Sequence, residues 1–201
     1  MAVSFTGSAG QYIDYGNLSN TAGLSQKSLL MWLYLDSTPA ATETLFEIYS
    51  ASSTNELFFA VANYGADAGK FGIGQRFTGT DGEFRTTNDV LTAGVNCVCV
   101  TYDAGSSANV PVMYYAGASV AVTTSAAPTG SAELSTASTV RIGAGQFINR
   151  SPSGRILSLA YYNRILSASE ISDAYNSRLA VPSWRGLVFA PQLWTVKDGD
   201  A

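Results

Sequence analysis

The sequence predicts an all-β protein with one short helix near its C-terminal end. Short runs rich in Val, Ile, Tyr, Phe and Thr recur along the 201 residues, separated by Gly, Asn, Asp or Ser. No repeat of solenoid or propeller period interrupts this pattern. Because all-β units of about 200 to 250 residues commonly form one domain, we expect a single domain.

Thirteen candidate strands follow from the pattern. In chain order they cover residues 3–5, 11–14, 28–35, 44–50, 56–62, 70–77, 83–86, 96–102, 110–116, 118–123, 139–142, 155–162 and 187–191. Asp81 and Gly82 are predicted at one hairpin tip and Gly117 at another, because Gly and Asp tolerate the positive φ of tight turns. Residues 124–139 are predicted to form a polar loop.

The helix is predicted by the end of the stretch SGRILSLAYYNRILSASEISDAYN, residues 153–176. Ser167 and Glu170 have the spacing of a capping box, in which each side chain satisfies a backbone N–H at the helix start. One face then carries Ile171, Ala174, Tyr175 and Leu179, and Pro182 ends the helix. We expect this helix to pack as a lid on the edge of the β-structure.

Several candidate strands are apolar on both faces. Residues 29–35, LLMWLYL, place Leu30, Trp32 and Tyr34 on one face and four further apolar side chains on the other. A sheet with one solvated face would alternate apolar and polar residues, so the outer face is expected to be covered. A second sheet layer, a long loop or a neighbouring subunit would cover it, and we hypothesise a twofold or threefold homo-oligomer.

The chain carries few charges. Charged residues make up 13% of it, against about 25% in typical soluble domains, and the net charge is -4. Nucleic acid is therefore not expected as a partner, whereas packing against another surface is favoured. The opening residues lack the pattern of a secretion signal, and no apolar run approaches the roughly 18 residues of a membrane span. We expect synthesis in the cytoplasm and no membrane anchor.

The chain has two cysteines and no histidine. Cys97 and Cys99 lie two apart in a candidate strand and point to one face, which indicates structural thiols rather than a disulfide loop. A metal pair is the alternative, but no second cysteine pair completes such a site. Without histidine, neither a Ser-His-Asp nor a Cys-His catalytic system can form.

Five segments resemble the concanavalin A-like jelly roll, in its laminin-G-like (LamG), pentraxin-related branch. FTGSAGQYIDYG (5–16) is similar to the first-strand signature, and KSLLMWLYLDS (27–37) to the strand with a buried Trp, here Trp32. LTAGVNCVCVTYDAG (91–105) matches a segment that usually carries Trp-His-His, where this chain has Val95, Asn96 and Cys97. STVRIGAGQF (138–147) and SGRILSLAYYNRILSASEI (153–171) match best.

The resemblance covers roughly residues 3–180 and implies a two-sheet antiparallel jelly-roll sandwich with Greek-key connections. We divide the chain into a LamG-like jelly-roll domain, residues 1–181, and a C-terminal docking tail, residues 182–201. This fold hosts lectins, carbohydrate-binding modules, glycoside hydrolases, adhesion modules and virion proteins. The function therefore has to be argued from the site.

Glycoside hydrolysis needs a carboxylic acid and a carboxylate across one cleft. The one pair with a suggestive strand spacing is Glu43 and Glu47, which would share one face. Hydrolases of this superfamily usually place a third carboxylate between two such glutamates, where this chain has Leu45. We predict two exposed glutamates at the start of a strand, no catalytic residue and no enzyme.

Calcium is common in LamG-like and pentraxin-like proteins, where oxygens from loops hold it. Its candidate ligands here are Asp14, Asn17, Asp103 and Asn149, with Asp81 and Glu83 on a hairpin, and plain solvated loop residues are the alternative. No other cofactor is expected.

Sugar binding by this fold would use exposed aromatic rings beside a few polar groups. The candidate rings are Tyr12, Tyr15, Tyr64, Phe77, Phe84 and Trp184, with core packing as the alternative for each. The hairpin around Asp81 is the predicted glycan or contact loop, and it also includes Arg76, Phe77, Phe84 and Arg85.

The C-terminal stretch VPSWRGLVFAPQLWTVKDGDA is unusually apolar for the end of a chain. Trp184, Leu187, Phe189 and Trp194 are predicted to dock, either on the chain's own sandwich or on a partner. Segments of this kind resemble the ends of small LamG-like proteins among bacteriophage structural genes.

Three function hypotheses remain open. The first is a non-catalytic bacteriophage structural protein of the capsid decoration (cement) or head-fibre type. It would be located in the virion, contact capsid or other virion proteins and reach surface glycans. The second is a carbohydrate-binding lectin-like module, with or without calcium. The third is a glycoside hydrolase, which lacks its acid and base.

Overall fold

The computed structural model describes residues 3–8, 10–18, 21, 24–50, 56–63, 68–133, 138–145, 150–178, 183 and 185–191. Its strands are β1 (Val3–Thr6), β2 (Tyr12–Asn17), β3 (Gln26–Leu35), β4 (Glu43–Ser50), β5 (Glu56–Ala62), β6 (Phe71–Gln75), β7 (Gly82–Thr86), β8 (Gly94–Asp103), β9 (Val112–Tyr115), β10 (Ala118–Val120), β11 (Val122–Ala126), β12 (Ser138–Gly143), β13 (Ser153–Tyr162) and β14 (Leu187–Phe189). The helix α1 spans Ala168–Ser177. Every predicted strand is confirmed with small shifts of its bounds, and the predicted strand 118–123 is divided between β10 and β11.

The strands form two antiparallel sheets of seven strands each. Sheet A has the order β1-β13-β3-β8-β9-β10, and β14 also pairs with β13. Sheet B has the order β11-β7-β6-β5-β4-β12-β2. Neighbours such as β3 and β8, or β4 and β12, are far apart in the sequence, so long connections cross between the sheets. The predicted two-sheet sandwich is confirmed.

The core lies between the sheets and is built from alternate residues of each strand. Among its fully buried side chains are Leu29 and Leu33 of sheet A and Phe46 and Phe58 of sheet B. Burying a side chain of this size contributes about 1.5 to 3 kcal/mol. Tyr161 of β13 reaches across, with its ring centroid 5.4 Å from that of Phe46.

Helix α1 begins with the predicted capping box. The N–H of Glu170 donates to Oγ of Ser167 at 3.3 Å, and the N–H of Ser167 donates to Oε2 of Glu170 at 2.9 Å. Arg164 holds the same carboxylate with two hydrogen bonds, one of 2.9 Å and one of 2.5 Å. The helix ends at Ser177, ahead of the predicted stop, because Arg178 adopts a left-handed backbone and caps it.

The prediction that the helix packs on the sandwich edge is wrong. It lies on the outer face of sheet A, where Ile171 and Ala174 are fully buried in a second apolar cluster. Leu30, Cys99 and Ala160 supply the sheet side of this cluster. The helix therefore covers a group of apolar outward side chains on β3, β8 and β13.

Helix α1 of the same chain thus accounts for part of the apolar outer face of these strands. The homo-oligomer stays a prediction. No helix in the described part of the chain is long and apolar enough to cross a membrane.

Candidate functional site

A cleft of about 760 Å³ lies on the outer face of sheet A, beside helix α1. We call it the Trp32 cleft. Its lining residues come from β3, β8, the β9–β10 hairpin, β13 and the end of α1, and they are Trp32, Val95, Cys97, Tyr115, Ala116, Leu157, Ser158, Tyr175, Asn176 and Arg178. Small-molecule sites commonly have volumes of about 300 to 1,000 Å³, so the cleft has the size of a ligand site.

Two rings join the sheet to the helix at this cleft. Trp32 and Tyr175 are stacked, with centroids 5.8 Å apart and planes 6° apart. In the sheet, Trp32 pairs with Cys97 of β8 and with Ser158 of β13, and paired residues point to the same face. The tip of the β9–β10 hairpin supports the helix, because a Cβ on Gly117 would lie only 2.9 Å from Cβ of Tyr175.

Two short side chains leave room beside the rings. Val95 and Cys97 stand where the resembling segment usually carries Trp and His, and both line the cleft. Val95 is 58% exposed and forms the rim. Cys97 is 4% exposed, and burial raises the pKa of its thiol to about 12, so this wall is neutral and apolar.

The backbone around the cleft is irregular at three positions. Ala116 has φ of 50° and Arg178 has φ of 52°, a region that costs a non-glycine residue roughly 1 to 2 kcal/mol. In the described part of the chain, Asn63 is the one other non-glycine residue with positive φ. Leu157 is the extra residue of a β-bulge in β13. Strained backbone conformations and β-bulges of this kind are often found at binding sites, where they orient particular side chains.

The cleft combines aromatic walls with neutral and cationic hydrogen-bonding groups. Ser158 offers a hydroxyl, Asn176 an amide and Arg178 a guanidinium, and none of the ten lining residues is a carboxylate or a histidine. The Asn176 amide is held by a hydrogen bond of 3.3 Å from Nδ2 to Oγ of Ser172. This lining suits recognition of a polar molecule that has an apolar face, and it contains none of the carboxylates that glycoside hydrolysis uses.

The outer face of sheet B carries a second cluster, the Arg141 platform, which consists of Tyr12, Asp14, Tyr49 and Arg141. The Arg141 guanidinium carbon lies 4.5 Å from the ring centroid of Tyr12 and 4.7 Å from that of Tyr49. Nε of Arg141 donates to Oδ2 of Asp14 at 3.1 Å. Burial alone would lower the pKa of Arg141, but this hydrogen bond raises it. The ring of Tyr12, predicted as exposed, is 46% exposed and confirms that prediction.

The carboxylate pair expected for hydrolysis does not form. A bulge at Leu45 shifts the pairing of β4, so that Glu43 pairs with Ala62 and Glu47 with Phe59. Ala62 belongs to the core whereas Phe59 does not, so the two carboxylates point to opposite faces of sheet B. The prediction that both glutamates are exposed is also wrong, because Glu43 is 9% and Glu47 is 0% exposed.

The candidate calcium ligands are not brought together. Asp14 and Asn17 lie on β2 in sheet B, whereas Asp103 ends β8 in sheet A. Asp14 faces the Arg141 guanidinium, and Asp103 accepts hydrogen bonds from the Gly105 N–H at 2.9 Å and from Gln26 at 3.1 Å. Within the described ranges, no three His, Cys, Asp or Glu residues are grouped to hold a metal ion. These residues do not fit a shared calcium site, and Asn149 lies outside the described residues.

The predicted contact loop is partly wrong. Phe77 is 2% and Phe84 is 0% exposed, because both rings face the core between the sheets. Arg76 pairs instead with Glu133, Nε to Oε2 at 3.0 Å, and Asp81 accepts the Phe77 N–H at 2.9 Å.

Other predicted contact residues have the following positions. Arg85 lies on β7 and is half-buried. Tyr15 is also half-buried and packs edge-to-face on Phe189, with centroids 4.9 Å apart. Tyr64 lies outside the described residues.

The described part of the C-terminal tail docks on the chain's own sandwich. Leu187 and Phe189 belong to β14, which pairs with Tyr161 and Tyr162 of β13, and both side chains are half-buried. Trp184 and Trp194 lie outside the described residues. The boundary between residues 181 and 182 stays a prediction.

The sequence predicts that Trp32 lies in a strand and is buried, whereas its side chain is half-buried in the structure, and no motif in the sequence indicates the cleft. The outward position of Trp32 in LLMWLYL and the helix position of Tyr175 were both available signals. Their meeting depends on how α1 crosses sheet A, which no local pattern specifies.

The two antiparallel sheets, with a helix on one outer face and an aromatic cleft beside it, define a lectin-like β-sandwich. The chain belongs to the concanavalin A-like lectin/glucanases superfamily, whose laminin-G-type family model matches residues 6–172. The expected family and fold are thereby confirmed.

Solved structures share this fold. A heptameric SAP-like pentraxin from Limulus polyphemus has a TM-score of 0.62 and 16% identity, over 87% of this chain and 81% of that chain. The CBM40 of Ruminococcus gnavus IT-sialidase has a TM-score of 0.60 and 15% identity, over 87% of this chain and 96% of that chain. The same CBM40 was solved bound to α2,3 sialyllactose, with a TM-score of 0.58 and 16% identity over 87% and 98%.

Trypanosoma rangeli sialidase also matches, with a TM-score of 0.58 and 14% identity, but this chain covers 27% of its length. At these identities the likeness shows the fold alone. No curated protein sequence matches the chain.

Proposed function

We propose that this protein is a non-catalytic carbohydrate-binding module and that the Trp32 cleft holds the glycan. The observation that carries this proposal is the composition of the cleft: rings of Trp32 and Tyr175 beside the polar groups of Asn176 and Arg178. Sugars present an apolar C–H face that stacks on such rings and hydroxyls that bond to amide and guanidinium groups. The carbohydrate-binding modules among the structural neighbours support the same class of function.

The Trp32 cleft is a better candidate than the Arg141 platform. A concave site buries more of a ligand than an open surface does. On the platform, Arg141 already forms an ion pair with Asp14 and lies between two rings. Tyr12 is therefore the main side chain that a ligand could contact there. Both surfaces lack the paired carboxylates of a hydrolase, so binding without bond cleavage is the function that we propose.

A glycan array that includes α2,3 sialyllactose tests the proposal, followed by titration calorimetry with the glycans that bind. The decisive variant is Val95→Trp, which fills the rim of the cleft from an exposed position and leaves the core intact. We expect it to weaken binding roughly tenfold or more.

The matched control is Val112→Trp. Val112 is also an exposed valine on sheet A, 43% exposed, but does not line the cleft. This control should bind as the unmodified protein does. A flat array, with and without calcium, would refute the proposal. If Tyr12→Ala abolished binding while Val95→Trp did not, the site would be the Arg141 platform instead.

We also propose, as a second candidate function, a structural role in a bacteriophage particle, of the capsid decoration or head-fibre type. The supporting observation is the low charge content, 13% of the chain, together with half-exposed apolar side chains on the short edge strand β14. In this setting the protein would be located in the virion, contact capsid proteins, form a homo-oligomer and present its cleft to surface glycans.

Particle purification tests this second role, because a virion protein should sediment with phage particles at a fixed copy number. Its absence from purified particles would refute the role. Light scattering tests the homo-oligomer, and a monomeric mass at micromolar concentration would contradict it.

A further inference from the structure

We infer that the glycan site extends along β3 from the Trp32 cleft to Tyr34 and Arg155, and that it binds an internal stretch of a linear oligosaccharide longer than a disaccharide. This inference rests on the proposed function of the Trp32 cleft. It adds the length and shape of the ligand, and it assigns Tyr34 and Arg155 to the site.

The first argument is the position of Tyr34. In a strand, residues two apart point to the same face, so Tyr34 stands next to Trp32 on the outer face of sheet A. Both side chains are half-buried. Tyr34 pairs with Val95 of β8, the residue that forms the rim of the cleft. The outward aromatic side chains of β3 therefore extend past this rim.

The second argument is the fixed position of Arg155. It pairs with Tyr34 across β13 and β3, and its guanidinium carbon lies 4.4 Å from the centroid of the Tyr34 ring. The side chain is otherwise exposed. The guanidinium is planar, and stacking on the ring restricts its orientation, so it loses less entropy when its N–H groups donate to a ligand. Arg155 can thus donate to sugar hydroxyls from a set position.

The third argument is the length of the surface. Arg155 also lines a second hollow of about 420 Å³, together with Ser4, Asp36 and Ser153, which supply hydroxyl and carboxylate acceptors. From Trp32 to Asp36 the chain advances about 13 Å at the rise of an extended strand. This length exceeds two pyranose rings in a linear chain. With polar groups at both ends and rings between them, the surface fits an internal segment better than a single terminal sugar.

Titration calorimetry with cello-, laminari-, malto- and chito-oligosaccharides of one to five sugars tests the inference. We expect at least one series in which affinity rises roughly tenfold between the disaccharide and the tetrasaccharide. The variant Arg155→Ala should lose this rise and keep the disaccharide affinity. Arg150→Ala, which removes an exposed guanidinium that lines neither hollow, is the matched control and should retain the rise.

Three results would overturn the inference while the proposed function stands. They are an affinity that stays constant beyond the disaccharide, an Arg155→Ala variant that retains the rise, and array binding to terminal sugars with none of the four linear series bound. If no glycan on the array binds at all, the proposed function itself fails.

Discussion

Lys27 provides a quantitative test of how the two sheets are joined. Its side chain extends from β3 into the core, is 4% exposed and donates from Nζ to Oε1 of Gln75 on the opposite sheet. The ammonium lies 5.2 Å from the ring centroid of Phe58. Burial lowers the pKa of Lys27 to about 7, and the nearby charge of Asp103 opposes this shift.

The direction of the pH effect follows from the protons bound. Between pH 7 and the usual lysine value of 10.5, the unfolded chain holds a proton on Lys27 more often than the folded chain does. The free energy of unfolding therefore rises with pH across this window. The lowering of the pKa from 10.5 to about 7 corresponds to roughly 5 kcal/mol in total, of which roughly 1 to 2 kcal/mol falls between pH 7 and 8.5.

The perturbation is Lys27→Met, which keeps most of the side-chain length and removes its titration. Urea unfolding at pH 7 and pH 8.5, followed by tryptophan fluorescence, gives the free energy of unfolding for both proteins. We expect the free energy of unfolding of the unmodified protein to rise by roughly 1 to 2 kcal/mol more than that of the variant. Cys97 and Cys99, whose pKa values are raised by burial, oppose the gain as pH rises, but both proteins carry them and the difference cancels.

Lys70→Met is the control, because it removes a lysine that is only half-buried. Its free energy of unfolding should change between pH 7 and 8.5 by the same amount as that of the unmodified protein. If the free energy of unfolding of Lys27→Met also changed by that amount, the folded chain would hold Lys27 charged at pH 8.5. The reasoning from burial would then be refuted.

Two further predictions concern helix α1. Gly117→Ala should lower the free energy of unfolding by about 2 to 3 kcal/mol, because φ is 80° and the added Cβ would meet Tyr175. The control Gly16→Ala, with φ of 65° and nothing within 4 Å, should lower it by about 1 kcal/mol. Equal losses in urea unfolding would contradict the docking of the hairpin on the helix. The Arg164 guanidinium lowers the pKa of Glu170 from 4.5 to about 2, so its stabilisation is present above pH 4.5 and is lost as pH falls towards 2. After allowance for solvent screening, the free energy of unfolding of the unmodified protein should fall by about 1 to 2 kcal/mol more than that of Glu170→Gln between pH 5 and 2. Urea unfolding followed by circular dichroism measures both. Identical losses would show that the ion pair does not stabilise the fold.

The parts of this fold that short stretches of sequence determine were predictable. The strand positions follow from local alternation and from Gly and Asp at turns. The capping box of Ser167 and Glu170 depends on two residues in one helical turn, and the turn at Gly117 on the conformational freedom of one glycine. All of these are present in the structure.

The β-bulges at Leu45 and Leu157 were not predictable, because each depends on the register between strands that are distant in the sequence. The bulge at Leu45 separates Glu43 from Glu47. Strand spacing alone had placed these two carboxylates on one face. A single extra residue therefore reversed the geometry on which the hydrolase hypothesis depended.

In the candidate site, too, some features follow from local sequence and others depend on contacts between distant residues. Tyr12 and Asp14 could be assigned to the outer face from the alternation of their own strand. Their partner Arg141 is 127 residues from Asp14 in the sequence and lies beside them only because β12 pairs with β2. Trp32 and Tyr175 likewise meet only because α1 crosses sheet A. Residue types at a site can be inferred locally, whereas their assembly depends on tertiary contacts.

The positions of Cys97 and Cys99 give the protein two natural reporters of its own motions. Cys97 is buried in the wall of the cleft and Cys99 is buried beneath α1, so a thiol reagent reaches either sulfur only when the structure opens locally. Labelling rates at the two sulfurs, read by mass spectrometry, would therefore compare local opening at the cleft wall with local opening beneath the helix. No engineered probe is needed for such a measurement.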